Sequence, residues 1–355
     1  MRVLVAMSGG VDSSVAAALL LEEGHQVVGA TMKLWGSPSG SGCCSVADVE
    51  DARRVCQQLG IDHHVFNFTA EFERDVVAPY AKAHSEAKTP NPCIACNAHL
   101  KFDRFLERAC VLGFEAIATG HHARVSFEPD DPYAVHGAWR LRRGRDAAKD
   151  QSYVLYMLGQ DQLAHLRLPI GELTKQQVRA LASAYGLRTA AKADSQDVCF
   201  ISRSAGREQF LKDRIALGPG RLLARDGQLL GQVDALELVT VGQRRGLGLG
   251  LGAPSPPQRR YVLQVDLAER AATLGDLEDL LVSEARVADM KWSYGPLPTG
   301  VAVEAQLSAH GLPVQAMWGA GLVSFREPVR RVAPGQAVVL YGQDGGPVLG
   351  GGSAL

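Results

Sequence analysis

Apolar positions in roughly the first 200 residues follow two alternating rhythms. The short runs Val3–Met7, Gln26–Leu34, His63–Phe68 and Ala116–Thr119 read as strands. Helical spacing fills the intervals. Val46, Val49, Ala52, Val55, Cys56 and Leu59 share one face and stop at Gly60. Phe72, Val76, Val77 and Tyr80 mark a second helix; Leu100, Phe105, Leu106 and Ala109 mark a third, closed by Gly113. Thr174 to Tyr185 reads as one more, with Thr174 as N-cap and Gly186 as its stop. Strands separated by helices build a parallel sheet covered on both faces. Ligands bind such a sheet beyond the carboxyl ends of its strands. The loop after strand one, Met32 in strand two and Gly120 after strand four would then share one crevice.

Beyond about residue 215 the pattern changes to short strands. Turn signals stand at Asp226-Gly227, Gly246–Gly252 and Asp344-Gly345-Gly346, and Pro254, Pro256 and Pro257 interrupt the region. A chain of 355 residues exceeds one compact core. The expected organisation is a doubly wound α/β unit over 1–204, a small β-rich unit over 205–284 and a C-terminal β-barrel over 285–355.

Hydrophobic content of 46% and charged content of 21% suit a soluble globular protein. No apolar run approaches a membrane span, and the strand at residue 3 leaves no room for a signal peptide, so a cytoplasmic protein without membrane contact is expected. The net charge of -1 excludes a chain basic all over. Nucleic acid stays open, because basic clusters recur: Arg140, Arg142, Arg143, Arg145 and Lys149; Arg244 and Arg245; Arg259 and Arg260; Arg330 and Arg331. Seven cysteines, an odd number, argue against a disulfide framework. Cys56 and Cys110 fall in helical patterns and read as buried fillers. Cys43, Cys44, Cys93, Cys96 and Cys199 fall in loop-like stretches.

Ser8-Gly9-Gly10-Val11-Asp12-Ser13-Ser14 lies between the first strand and an alanine- and leucine-rich helix. Glycines let backbone N–H groups approach an anion at a helix start, so phosphate is the natural occupant. The Lys-Ser/Thr ending of a Walker A loop is missing. The stretch resembles the PP-loop of ATP pyrophosphatases, which cleave ATP to AMP and pyrophosphate and adenylate a carbonyl oxygen. Asp12 would either help hold Mg²⁺ or serve as a carboxylate favoured by the helix dipole.

Thr89-Pro90-Asn91-Pro92-Cys93-Ile94-Ala95-Cys96-Asn97 carries the second chemical signal. The prolines hold the loop extended, and Cys96 is expected just before a helix beginning near Asn97. The positive end of that helix would lower its pKa, as a nucleophile requires. A zinc site would need a second cysteine pair. A [4Fe–4S] cluster on Cys93, Cys96 and Cys199 would leave one iron open to a sulfur ligand. Cys199 lies in Asp194-Ser195-Gln196-Asp197-Val198-Cys199-Phe200, a polar loop.

SGGVDSSV, TPNPCIACN, ATGHHAR, KDQSYVLY, DSQDVCF, VGQRRGLGLG and FREPVRRVAPGQAVVLY occur in this order. Together they resemble the bacterial tRNA-specific 2-thiouridylases, which thiolate the wobble uridine, over nearly the whole chain. The resemblance implies a PP-loop, adenine nucleotide alpha hydrolase-like sheet followed by the two β units. It implies that Ala6, Met7, Ser8, Gly9, Gly10, Val11, Asp12, Ser13, Met32 and Gly120 bind ATP with Mg²⁺. Cys96 would be the nucleophile and Cys199 would carry a persulfide, with a disulfide joining the two. Asn91, Pro92 and Cys93 would lie against the target base; Lys149, Asp150, Gln151, His121 and Gln336 would contact tRNA. The implied reaction adenylates the uracil C2 carbonyl and replaces its oxygen by sulfur, giving 2-thiouridine, AMP and pyrophosphate. The implied partners are a tRNA with a wobble uridine and a persulfide donor, either a cysteine desulfurase or a sulfur relay protein.

Two positions depart from the family pattern, and a third stretch, shared by some relatives, has no assigned chemical role. Many relatives carry Asp at Cys93, which puts a carboxylate role in doubt and adds weight to the cluster, although a cluster is still not the favoured reading. Relatives often carry Arg and an aromatic or small residue where this chain has Ser308-Ala309. Gly42-Cys43-Cys44-Ser45 reads as a flexible loop over the nucleotide. Two alternatives stand beside the family reading: an amide-forming PP-loop synthetase acting on a small molecule, and a cysteine-ligated iron–sulfur or redox protein that binds nucleotide.

Overall fold

Residues 1–35, 46–131, 134, 136–194, 198–201, 206–248 and 259–355 are described in a computed structural model. Cys43, Cys44, Ser195–Asp197, Leu249, the glycines at 250 and 252, and the prolines at 254, 256 and 257 lie outside the described residues.

β1 (Arg2–Ala6), β2 (Gln26–Lys33), β3 (His63–Asn67) and β4 (Ala116–Ala118) fall within a residue or two of their expected positions. A hairpin that the pattern does not announce follows, β5 (Ala123–Glu128) with β6 (Ala138–Arg143). Then a two-residue strand, β7 (Leu166–Arg167), completes a parallel sheet in the order β3-β2-β1-β4-β7. Alternation along β1 divides the core. Val3 and Val5 pack with α1 (Val11–Glu22), α2 (Val46–Leu59) and the Lys175–Ala184 helix. Leu4 and Ala6 face Phe72, Val76, Leu100 and Phe105 on the opposite side. Both faces are therefore covered, as a parallel sheet requires.

Thr174 caps the Lys175–Ala184 helix through a reciprocal bond with Gln177. Cys56 is fully buried, and burial pushes its thiol up to about 11. Cys110 is exposed, not a core filler. Phe105 and Ala109 face the sheet, and Cys110 points away with exposed Val111.

Four of the five residues of the expected basic cluster at 140–149, all but Arg145, face carboxylates of the protein itself. Arg140 and Asp131 form a buried ion pair. Arg142 donates to both oxygens of Glu128 at 2.7 and 2.8 Å. Arg143 donates to Gln306 at 2.7 Å, Arg145 to the Glu172 carbonyl at 3.5 Å, and Lys149 to Asp194 at 2.9 Å. Hairpin strands placed these arginines against carboxylates that a linear reading leaves several residues away.

β8 (Gly220–Ala224), β9 (Leu229–Val233), β10 (Tyr261–Asp266) and β11 (Ala271–Gly275) form a second sheet, ordered β10-β11-β8-β9. β12 (Leu281–Trp292), β13 (Val301–Gln306), β14 (Val314–Gly319), β15 (Leu322–Arg330), β16 (Ala337–Tyr341) and β17 (Val348–Ala354) close into an antiparallel barrel. The first half of β12 pairs with β15 and the second with β17, which removes the free edge. The barrel docks on the N-terminal sheet unit. Tyr153 donates its hydroxyl to the Ala337 carbonyl at 2.8 Å, and the Arg143 guanidinium lies 3.7 Å from the Tyr341 ring centre.

Candidate active site

The site is built from the carboxyl ends of β1, β2 and β4. Gly9 has φ +70, and a Cβ there would stand 2.3 Å from the Asp48 carbonyl oxygen. Only glycine suits that turn. Gly10 precedes α1 without a side-chain cap, so the first-turn N–H groups have no partner within the helix. Ser13 Oγ accepts from Ser8 N–H at 3.2 Å, and Ser14 Oγ donates to the Gly10 carbonyl at 2.7 Å. These bonds shape the loop, and α1 points its N-terminus into the crevice, the arrangement that favours an anion. Gly120 brings the end of β4 against the same turn.

Asn91 caps the cysteine-bearing helix by accepting from Cys93 N–H at 3.0 Å, and Pro92 takes its first position. This corrects the expected helix start near Asn97. The helical run begins at Pro92, puts Cys93 in its first turn and leaves Cys96 a turn further in, before π-helical turns over Asn97–Arg104. Cys93, not Cys96, meets the positive end of the dipole. Even so, although Cys93 is exposed, desolvation by the surrounding chain raises its thiol above the ordinary range, with the Lys101 charge opposing.

A cavity of about 320 Å³ joins these parts. Ala6, Met7, Ser8, Asp12, Ser13, Met32 and Gly120 line one side; Pro92, Cys93, Cys96, His121, Gln151 and Cys199 line the other. No disulfide joins Cys96 to Cys199 in this structure. A larger cavity, about 670 Å³, lies between the second sheet and the barrel but gathers no Cys, His or Lys.

His121 is buried, with Nδ1 2.7 Å from Thr119 Oγ1. Burial first, then the charges of Lys101 and His122, hold its pKa well below the usual histidine range. It faces the cavity as a neutral ring. Asp150 accepts from the N–H groups of Gly144 and Ser152 at 2.9 and 3.1 Å, so its carboxylate is spent on the turn. Gln336 donates from the barrel to the Thr89 carbonyl, at the root of the cysteine loop.

Both oxygens of Asp12 accept from Lys175 Nζ, at 2.8 and 2.7 Å, so a Mg²⁺ here would share that carboxylate with the lysine. Among the described residues no group of three His, Cys, Asp or Glu stands close enough to hold a metal ion, so Cys93, Cys96 and Cys199 do not form a cluster site as placed.

The model for the tRNA methyl transferase HUP domain matches residues 1–203, and that for the aminomethyltransferase beta-barrel domain matches 282–354. The tRNA-specific 2-thiouridylase of Moorella thermoacetica is 43% identical over 99% of this chain and 98% of its own. That of Chloroflexus aggregans is 45% identical over 99% and 97%, and that of Roseiflexus castenholzii 42% over 99% and 98%. The chain belongs to the tRNA-specific 2-thiouridylase family. Similarity over 99% of the chain decides this, because a shared PP-loop alone would match only the first sheet.

Sequence reasoning missed several groups in this 2-thiouridylase-family site. Lys101 and Thr119 line the cavity. His122 Nε2 lies 3.3 Å from Asp12 Oδ1. Lys175 and Lys192 grip the phosphate loop from distant parts of the chain. Burial works to raise the Asp12 carboxyl, but His122 and Lys175 outweigh it and hold it below the ordinary range. Only Lys101 had a local signal, lying a few residues beyond Cys96.

Proposed function

We propose that this chain thiolates the wobble uridine of tRNA in an ATP-dependent reaction. One observation carries the reading: Ser8, Asp12 and Ser13 of the glycine loop line one cavity with Cys96 and Cys199, while Gly9, Gly10 and Val11 do not reach its wall. Oxygen at C2 of uracil is a poor leaving group. Attack of that oxygen on the α-phosphate of ATP expels pyrophosphate and leaves AMP as a good one. The loop and first turn of α1 supply fixed N–H donors for the departing pyrophosphate. The terminal sulfur of a Cys199 persulfide then attacks C2 and AMP leaves with the oxygen. Cys96 attacks the Cys199 sulfur, which frees the thiocarbonyl and closes a Cys96–Cys199 disulfide. A thiol reductant reopens it. Alternatively, Cys96 attacks the persulfide first and releases sulfide inside the cavity, with the same disulfide as product.

Ala6 to Ser13, Met32 and Gly120 are the proposed ATP residues, and Asn91, Pro92 and Cys93 face the base. A wobble base can be turned out of its loop and held in such a pocket. His121 and Gln151 serve from the cavity wall, and Lys149 from the surface. Asp150 and Gln336 act by holding the surface that tRNA meets. The proposed units are 1–204, 205–284 and 285–355, although the barrel strand β12 begins at Leu281, four residues ahead of the last bound. Among the described residues no helix is long and apolar enough to cross a membrane. The proposed enzyme is cytoplasmic and receives its sulfur from a persulfide-carrying protein.

The test uses tRNA, ATP and a sulfide source, with nucleosides read by mass spectrometry. Cys96→Ser and Cys199→Ser should each lose 2-thiouridine formation by at least about a hundredfold while binding ATP normally. Full activity in either variant would overturn the two-thiol mechanism.

A further inference from the structure

A short segment outside the cavity ties its two chemical halves together. Lys192 Nζ donates to the Gly9 carbonyl at 2.9 Å and to Asp48 and Asp51 at 2.8 Å each. Lys175 Nζ donates to both oxygens of Asp12 and lies 2.9 Å from Asp194 Oδ1. Arg179, one turn after Lys175, donates to the carbonyls of Ala190 and Lys192 at 2.9 and 3.0 Å and to Asp194 at 2.7 Å. Lys149 takes the other oxygen of Asp194 at 2.9 Å. Burial works to raise the Asp194 carboxyl, yet Lys149 and Lys175 outweigh it and hold it well below the usual carboxylate range.

An ammonium has three N–H donors. Lys175 and Lys192 each spend all three on protein oxygens, which makes them holders of the loop and not spare phosphate ligands. Asp194 collects three cations from two parts of the chain. Cys199 follows only five residues later and lines the cavity whose opposite wall carries Asp12.

We propose that residues 190–194 form a strap that fixes the root of the Cys199 segment to the phosphate loop, with Asp194 as the positioning residue that keeps the thiol in register with the nucleotide. The inference rests on the thiolation reading above. Five residues reach at most about 18 Å, so a fixed Asp194 confines Cys199 to the neighbourhood of the loop. Untying Asp194 moves the last anchor back to Lys192. Loss of the ion pairs loosens Lys175 and Asp12 as well. Adenylate would then form in a cavity where sulfur arrives late, and water would consume part of it.

Two measurements on Asp194→Asn test this. In single turnovers with persulfide-loaded enzyme, tRNA and ATP, AMP released per 2-thiouridine should rise at least twofold over wild type. Asp194→Glu, which keeps the anion, should restore most of the coupling. Independently of turnover, iodoacetamide labelling of the folded protein should show Cys199 alkylation changed at least twofold relative to Cys93. An unchanged ratio in both measurements, or AMP and thiouridine falling together, overturns the strap. A shifted labelling ratio with no thiouridine from wild type keeps the strap and overturns the functional reading instead.

Discussion

Gly120→Ala probes the phosphate loop with one methyl group. A Cβ at Gly120 would lie 2.6 Å from Ser13 N, 2.7 Å from Asp12 C and 2.9 Å from Asp12 Cβ. Two of these atoms are backbone, so no rotamer change relieves the clash. Ordinary contact begins near 3.4 Å. The end of β4 and the start of α1 must therefore separate by roughly 0.8 Å, the difference between 3.4 and 2.6 Å. Overpacking of this kind costs about 1–3 kcal/mol. Ser13 N–H is one of the donors expected to meet the nucleotide phosphates, so part of that strain falls on binding. If all of it does, ATP affinity drops between about fivefold and about 150-fold. Calorimetric titration of ATP into wild type and variant reads the loss directly, with far-ultraviolet circular dichroism to confirm the fold. A folded variant that binds ATP within twofold of wild type would refute the argument that β4 and the loop form one phosphate site.

Three further outcomes follow from side chains already placed. His84 is buried with Nε2 unpartnered, and burial, then the Arg207 charge, lowers its pKa to about 4. Its neutral form is favoured in the fold, so its contribution is complete above the unfolded value near 6.5 and is lost as pH falls toward 4. Between pH 7.5 and 5 this removes about 2 kcal/mol, and His84→Leu should show a urea midpoint that much less sensitive to acid; equal sensitivity would contradict it. Arg143→Met removes the bond to Gln306 and the contact with Tyr341, and should lower unfolding stability by about 2–3 kcal/mol in urea titration. Iodoacetamide should label exposed Cys110 in the native protein and reach buried Cys56 only on unfolding, as peptide mass spectrometry would show.

The N-terminal sheet was legible because its strands and helices have distinct periods. Val3 and Leu4 already alternate between the two faces of the core. The β5–β6 hairpin escaped notice because its turn carries no Asn-Gly or Asp-Gly signal and its strands hold five arginine and glutamate side chains, Arg124, Glu128, Arg140, Arg142 and Arg143. β7 is too short to show a period. At the site, residues in contiguous motifs were readable, since each motif is one turn. Lys175 and Lys192 were not, because their meaning lies in contacts 163 and 183 residues away in sequence, with Asp12 and Gly9. The misplaced helix start has a local cause. By sequence Pro92 stiffens an extended chain, whereas beside the Asn91 cap it opens a helix.

The loop before Cys93 is tied at both ends of the molecule. Thr89 N–H donates to the Pro334 carbonyl at 2.8 Å, its Oγ1 donates to Thr240 Oγ1 at 3.2 Å, and its carbonyl accepts from Gln336. Thr89 thus touches all three folded units. Exchanging the barrel with that of a distant relative would reset the geometry of a cysteine loop that the donor never contained. Recombination at the unit boundaries should therefore yield active chimeras only when the Pro334–Gln336 turn and the Thr89 segment are inherited from the same parent.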